Sequence, residues 1–320
     1  MHFELPKPDD DDGKPRRVGV EIELGGLNEQ RVAEIAVDCL GGTIEPKPGN
    51  VVEVVGTAIG DLDIYLDTAF KAHENPAVQK AVEMGRSVIP VEIVTDPIPH
   101  SDLPELDRLV DALREAGGKG TEDHPLNGYG VHFNVAVAAM SSEAIVPIVR
   151  AFALLEDWLR STDPIDFSRR ILPFVDRYPR AFLDAAASEG ANWDLSALLQ
   201  TYLRLTPSRN RALDLLPLLR EMNEDAVVAA LGSDAASSVN ARPTFHYRLP
   251  DSRVGDPNWS LAHEWNSWCL VEQVAARPDL LESLAAGWRD YRAQLTTTPR
   301  DWVDEVDTRL RKTFGEEAFQ

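Results

Sequence analysis

The chain has 320 residues, 43% hydrophobic and 27% charged, with 53 acidic side chains against 32 lysines and arginines and a formal net charge of −21. That surplus opposes non-specific binding to nucleic acid, which relies on lysine and arginine neutralising phosphates. An anionic substrate must therefore be met by local arginines or a metal ion, and two cysteines, Cys39 and Cys269, read as reduced and cytosolic.

Residues 1–16 are rich in aspartate and proline and read as a flexible lead-in rather than a signal peptide. A strand is expected at Arg17–Leu24, where Val18, Val20, Ile22 and Leu24 alternate with Arg17, Gly19, Glu21 and Glu23. Asn28 suits the N-cap of a helix running to Leu40 and stopped by Gly41–Gly42. Residues 43–66 read as a meander of short strands, turning at Pro48-Gly49-Asn50. Its last strand alternates Leu62, Ile64 and Leu66 with Asp61, Asp63, Tyr65 and Asp67. A helix is expected over Ala77–Gly85, a strand bearing Glu92 over Pro90–Asp96, and a helix over Ser101–Ala116 capped by Ser101.

The next strand, Gly130–Val137, separates Val131, Phe133, Val135 and Val137 from His132 and Asn134. Residues 141–238 carry helical periodicity with few strand signals. A last strand at Arg242–Leu249 sets Phe245, Tyr247 and Leu249 against Arg242, Thr244, His246 and Arg248, and three helical patterns follow. The longest apolar window, Ala144–Leu159, is interrupted by Arg150, Glu156 and Asp157, so no membrane span is expected. The pattern predicts one α+β domain over residues 17–320, with a helical insertion at about 141–238. Its curved, mainly antiparallel sheet draws strands from both ends of the chain and carries helices on its apolar face.

Each candidate site residue has an ordinary reading beside the chemical one. Glu21 and Glu23, two apart on a strand, share a face, and carboxylate oxygens suit Mg²⁺ or Mn²⁺; most such pairs are simply a solvated face. A strand with so apolar an opposite face is buried, however, and unpaired buried carboxylates are costly without a cation. Glu92 sits among β-branched residues between Pro90 and Pro97 and is either a third ligand or a surface acid. His132 and Asn134 follow glycines at 128 and 130, which leave room for a ligand or another backbone to approach. Arg242, His246 and Arg248 could hold phosphate or carboxylate, or merely balance the neighbouring acids. Trp259, Trp265 and Trp268, at helical spacing, read as core. There is no phosphate-binding G-x-x-x-x-G-K-[ST] loop, no dinucleotide fingerprint and no C-x-x-C pair.

Four motifs in one order carry a resemblance: Val18-Gly19-Val20-Glu21-Ile22-Glu23, Glu92-Ile93-Val94-Thr95-Asp96-Pro97, Gly130-Val131-His132-Phe133-Asn134, and Arg242 through Asp251. Over roughly residues 17–275 the chain resembles the glutamine synthetase and glutamate–cysteine ligase superfamily of carboxylate–amine ligases, and within it the bacterial amidoligase branch. The resemblance implies a glutamine synthetase-like catalytic domain in which Glu21, Glu23, Glu92, His132 and His246 bind metal. It implies that His132, Asn134 and Arg242 contact the nucleotide, and that Arg242 and Arg248 hold the γ-phosphate and the substrate carboxylate. One departure is plain: His246 stands where the family pattern usually has glutamate.

The activity so implied is an ATP- and Mg²⁺- (or Mn²⁺-) dependent ligase acting in the cytoplasm on small-molecule or peptide carboxylates and amines, with no nucleic-acid or membrane partner. The alternatives are a carboxylate or guanidino kinase on the same scaffold, which stops at the phosphate, and a non-catalytic nucleotide-binding relative.

Overall fold

Alternation along the strands becomes a sheet with one apolar and one polar face. The computed structural model describes residues 3–49, 51–67, 89–123, 127–166, 169 and 175–319. Its strands are β1 (Arg17–Leu24), β2 (Thr43–Lys47), β3 (Val51–Thr57), β4 (Gly60–Leu66), β5 (Val91–Thr95), β6 (Ile98–Pro99), β7 (Val131–Ala136), β8 (Leu213–Asp214) and β9 (Thr244–Tyr247). They form one antiparallel sheet in the order β2-β3-β4-β5-β1-β7-β9-β8, with β6 beside β1. The four motif strands are consecutive in it, as β5-β1-β7-β9.

The apolar face is the core. Val18, Val20, Ile22 and Leu24 of β1, Ile93 of β5, Val131 and Phe133 of β7 and Phe245 of β9 are all buried. Helix Glu29–Leu40 covers β3 and β4. Helices Ser142–Thr162 and Leu261–Ala275 cover the other half: Phe152 meets Tyr247, Trp265 meets Phe133, and Trp268 meets Phe245 and Tyr247. The three tryptophans expected in the core, Trp259, Trp265 and Trp268, are buried.

The local signals behave as their chemistry requires, with four exceptions. Asn28 caps its helix by accepting from the Arg31 amide at 2.8 Å, and Gly41 ends it at φ 78°. Ser101, in contrast, caps nothing. The helix starts at Leu103 after a tight turn at His100–Asp102, with Pro104 in its first turn, and the Ser101 hydroxyl donates to Asp102.

Residues 141–238 are mostly helical but are not free of strand. They supply β8, an edge strand pairing Leu213 with Tyr247 and Asp214 with His246. Two residues are too few to leave a period in the sequence.

The last motif strand is shorter than Arg242–Leu249. Pro243, which has no N–H to give, bends the chain before Thr244, and the ladder ends at Tyr247.

The stretch read as a flexible lead-in is packed from Phe3 onward. The Phe3 amide donates to Asn266 at 2.7 Å and its ring lies against Phe314 and Phe319. Leu5 is buried, and Arg16 forks onto Glu272 through two bonds of 2.8 Å.

The helix expected over Ala77–Gly85 lies outside the described residues. Among those described, Cys39 and Cys269 are free thiols, and no helix is long and apolar enough to cross a membrane.

Candidate functional site

The sheet register assembles the polar face. Tyr65 stands opposite Glu92, Glu92 opposite Glu23, Glu21 opposite His132, and Asn134 and Asp214 opposite His246 from either side. Directly opposed residues in a ladder share a face, as do residues two apart on one strand, so all of these side chains lie on the side away from the core. Within that face the groups fall into two ends.

At the acid end, Glu23 accepts from the Gly130 amide at 2.7 Å. Burial first, then the charge of Asp67, pushes its carboxyl up to about 7. Glu92 is pushed well above the usual carboxylate range by burial and then by Glu21, Glu23 and Asp67, although the Tyr65 side chain hydrogen-bonds to it. These are carboxyls gathered more closely than their charges favour without a cation.

At the histidine end the carboxylate is well served. Glu21 Oε2 lies 2.6 Å from His132 Nδ1, and Glu21 Oε1 accepts from Asn134 Nδ2 at 2.7 Å. Burial raises the Glu21 carboxyl, but its hydrogen bond to His132 and the pull of both imidazoles outweigh this and hold it well below the usual range. Burial also drives His132 down to about 3 against the pull of Glu21, so the ring is neutral at physiological pH and Nδ1–H donates. His246 Nε2 is 3.8 Å from the same Glu21 Oε2, and its Nδ1 is 3.6 Å from Asp214 Oδ2. The two imidazoles meet edge to face with centroids 5.4 Å apart.

The five expected metal ligands therefore share a face but divide. Ligand atoms of Glu21, His132 and His246 lie within 4.8 Å of one another, and among the described residues Glu23 and Glu92 belong to no such group. The expected arginines divide too. Arg248, at the exit of β9, has a guanidinium that donates to the Arg209 carbonyl at 2.7 Å, and its charge reaches Glu21, Glu23 and His132. Its Nε is buried with no partner among the described residues. Burial lowers its pKa, yet an arginine starts so high that it stays charged. Arg242 stands exposed ahead of β9, and its side chain makes no hydrogen bond or ion pair among the described residues. It is not gathered with the rest because β9 begins two residues later than its alternation suggests.

Sequence reasoning passes over four residues of this face. Tyr65 and Asp67 are legible as the polar side of β4, but nothing in that alternation assigns them to a site. Asp214 leaves no signal, lying in a segment that reads as helical. Arg169 leaves none either, although it has a central place. Its Nη1 donates to the carbonyls of Leu249 at 3.0 Å and Pro250 at 2.6 Å and to Asp251 Oδ1 at 3.0 Å, and its Nη2 donates to the Arg248 carbonyl at 2.9 Å. This buried guanidinium clamps the chain where it leaves β9. It also explains Gly130: a Cβ there would lie 2.8 Å from Arg169 Nη2 and 3.1 Å from His132 Nε2. The close approach that glycine permits is that of a side chain, Arg169, beside His132.

A family model described as "Putative amidoligase enzyme" matches residues 14–270, a span that takes in all nine strands and every side chain of the polar face. No curated protein matches the chain.

Proposed function

Because the chain belongs to the family described as putative amidoligase enzymes, we propose that it joins a carboxylate to an amine in an ATP- and Mg²⁺- (or Mn²⁺-) dependent reaction through an acyl phosphate. The observation that carries this reading is the adjacency of β5, β1, β7 and β9, which sets Glu92, Glu23, Glu21, His132, His246 and Arg248 on the one face opposite the core.

A carboxylate carbon is a poor electrophile, so it must be activated before an amine can displace an oxygen. Transfer of the γ-phosphoryl group supplies that activation, and phosphate then leaves as the amide forms. Glu23 and Glu92 are the residues that would hold Mg²⁺. Their donors are all oxygens, and the crowding that pushes up Glu23 and Glu92 is what a dication relieves. When bound, Mg²⁺ offsets charge on the phosphates and orients them. Arg248 brings a fixed positive charge to the same face, suited to the moving phosphoryl group or to a substrate carboxylate. Arg242, at the entrance to β9, is the further candidate for that substrate contact. His132 and Asn134 hold Glu21 in one orientation. The substrates would be small or peptide-borne, and a cytoplasmic setting fits the two free thiols.

The test is to supply ATP, Mg²⁺ and panels of acids and amines to the full chain and to follow free phosphate and amide together. The reading expects phosphate release that requires both substrates, and hydroxylamine in place of the amine should trap a hydroxamate. ADP with a stable phosphorylated acid or guanidine would make the protein a kinase. Nucleotide binding without turnover across the panels would make it a non-catalytic relative.

A further inference from the structure

His246 is the residue that departs from the family pattern, and one of its ring nitrogens is left unsatisfied. Its Nε2 is buried and has no hydrogen-bond partner among the described residues, yet it points at a carboxylate oxygen 3.8 Å away. Most buried side-chain polar atoms are bonded to protein or water, so an open ring nitrogen aimed at a carboxylate calls for an explanation. Here the other nitrogen, Nδ1, faces Asp214 Oδ2 at 3.6 Å. Asp214 is fully buried and held in place by the Leu216 amide at 2.9 Å and Arg209 Nε at 3.4 Å. A buried carboxylate behind one imidazole nitrogen and an open lone pair at the other is how a metal-binding histidine is oriented.

The neighbouring groups fit the same arrangement. Glu21 divides its oxygens: Oε1 is taken by Asn134, while Oε2 faces both histidines. Ligands ~2.0–2.1 Å from a common ion sit roughly 3.0–3.5 Å apart. The 3.8 Å gap between Glu21 and His246 is near that spacing, and the 2.6 Å bond to His132 Nδ1 must open by under an ångström as the ring's proton moves from Nδ1 to Nε2, which frees the Nδ1 lone pair. Mg²⁺ is a poor match for two imidazoles, since it demands oxygen ligands and sheds water reluctantly. First-row transition ions accept the mixture of nitrogen and oxygen.

We propose that Glu21, His132 and His246 hold a first-row transition dication such as Zn²⁺ or Co²⁺, distinct from the Mg²⁺ assigned to the acid end, with Asp214 as the outer carboxylate that orients His246. This deepens the metal dependence proposed above but stands without the amide-forming reaction.

The experiment uses the full chain, stripped of metal and free of nucleotide, titrated with Co²⁺ and followed by visible absorption. The expected result is one equivalent bound with the d–d bands of a nitrogen-liganded ion, displaced by Zn²⁺ but not by millimolar Mg²⁺. His246→Gln and His132→Gln, each checked for folding by circular dichroism, should weaken Co²⁺ at least tenfold. Asp214→Asn should weaken it by about tenfold. His246→Glu should shift the spectrum toward oxygen ligation and let Mg²⁺ compete. The proposal is overturned if the wild-type chain gives no such bands, if Mg²⁺ displaces Co²⁺ as readily as Zn²⁺ does, or if folded His246→Gln binds as wild type. Failure of every acid and amine pair to react would count against the ligase reading and leave this titration untouched.

Discussion

The two ends of the polar face come from the same strands, yet they treat their carboxylates in opposite ways. Glu21 and Glu23 are two residues apart on β1 and point to the same side. Glu21 is opposed by His132, accepts from it and from Asn134, and stays ionised. Glu23 is opposed by Glu92, accepts a single backbone bond from Gly130, and is pushed up to about 7. Both are largely buried, so burial does not account for the difference. What differs is the neighbour that the register supplies on the adjoining strand: an imidazole and an amide at one end, more acid at the other. A single strand thus presents one carboxylate prepared as a fixed anion and another that calls for a cation.

The strongest challenge to that division is Glu23→Gln. It should abolish amide formation and any Mg²⁺-induced rise in melting temperature, while leaving the metal-free melting curve nearly unchanged and the Co²⁺ bands intact. If the Co²⁺ bands vanish with it, the two ends are one site.

Arg169→Ala tests the joint between them. It removes the closest charged partner of buried Asp251 and leaves it the Asp166 amide at 2.6 Å and Arg253 at 3.7 Å, so the cost, read from urea unfolding, should approach but not reach the ~3–5 kcal/mol of a wholly unmatched buried charge. It also frees the backbone that carries Arg248. Arg169→Lys keeps the charge but loses the fork across three carbonyls, so it should recover only part of the loss. An unfolding midpoint unchanged in Arg169→Ala would remove Arg169 from any role in holding this face.

Gly130→Ala is a smaller perturbation at the same place. A methyl 2.8 Å from Arg169 Nη2 overpacks the contact, a cost of about 1–3 kcal/mol, and should disturb His132 and the Glu23 bond together. A crystal structure of the variant with Arg169 and His132 undisplaced would contradict this.

The mildest effect is expected outside both ends, at Glu264. Burial, and then the charge of Asp163, raises its carboxyl well above the ordinary value of 4.5, with Trp259 Nε1 donating to it at 2.8 Å. The folded protein therefore retains a proton that the unfolded chain has already released above that value. The stabilisation is complete at pH below 4.5 and declines as pH rises toward the raised value. Glu264→Gln keeps the acceptor for Trp259 and cannot ionise, so its unfolding free energy should fall less with pH than that of the wild type. Parallel slopes for the two proteins would place Glu264 in an ordinary solvated state.

Much of this arrangement is legible in the order of the amino acids. The motif strands, their alternation and the helix caps at Asn28 and Gly41 are local matters, decided by side-chain period and backbone conformation, and they predict an α+β sheet with a polar face. Glu21, Glu23, Glu92, His132, Asn134, His246 and Arg248 can be placed on that face because each sits on a strand with a clear period. Ser101 fails as a cap because a tight turn satisfies the same backbone groups one step later, and the aspartates of residues 9–12 conceal the anchoring by Phe3, Leu5 and Arg16.

Alternation within one strand, however, says nothing about which residue stands opposite on the next. The sequence by itself determined which side chains would be polar and which face of each strand they would share. Only the tertiary structure decided that Glu23 meets Glu92 while Glu21 meets His132, that Arg242 falls outside the group, and that Asp214 and Arg169 reach it from a helical segment. Those outcomes rest on contacts between residues far apart in the chain, set by cross-strand register and by the packing of one buried guanidinium over a glycine, and a local period carries no information about either.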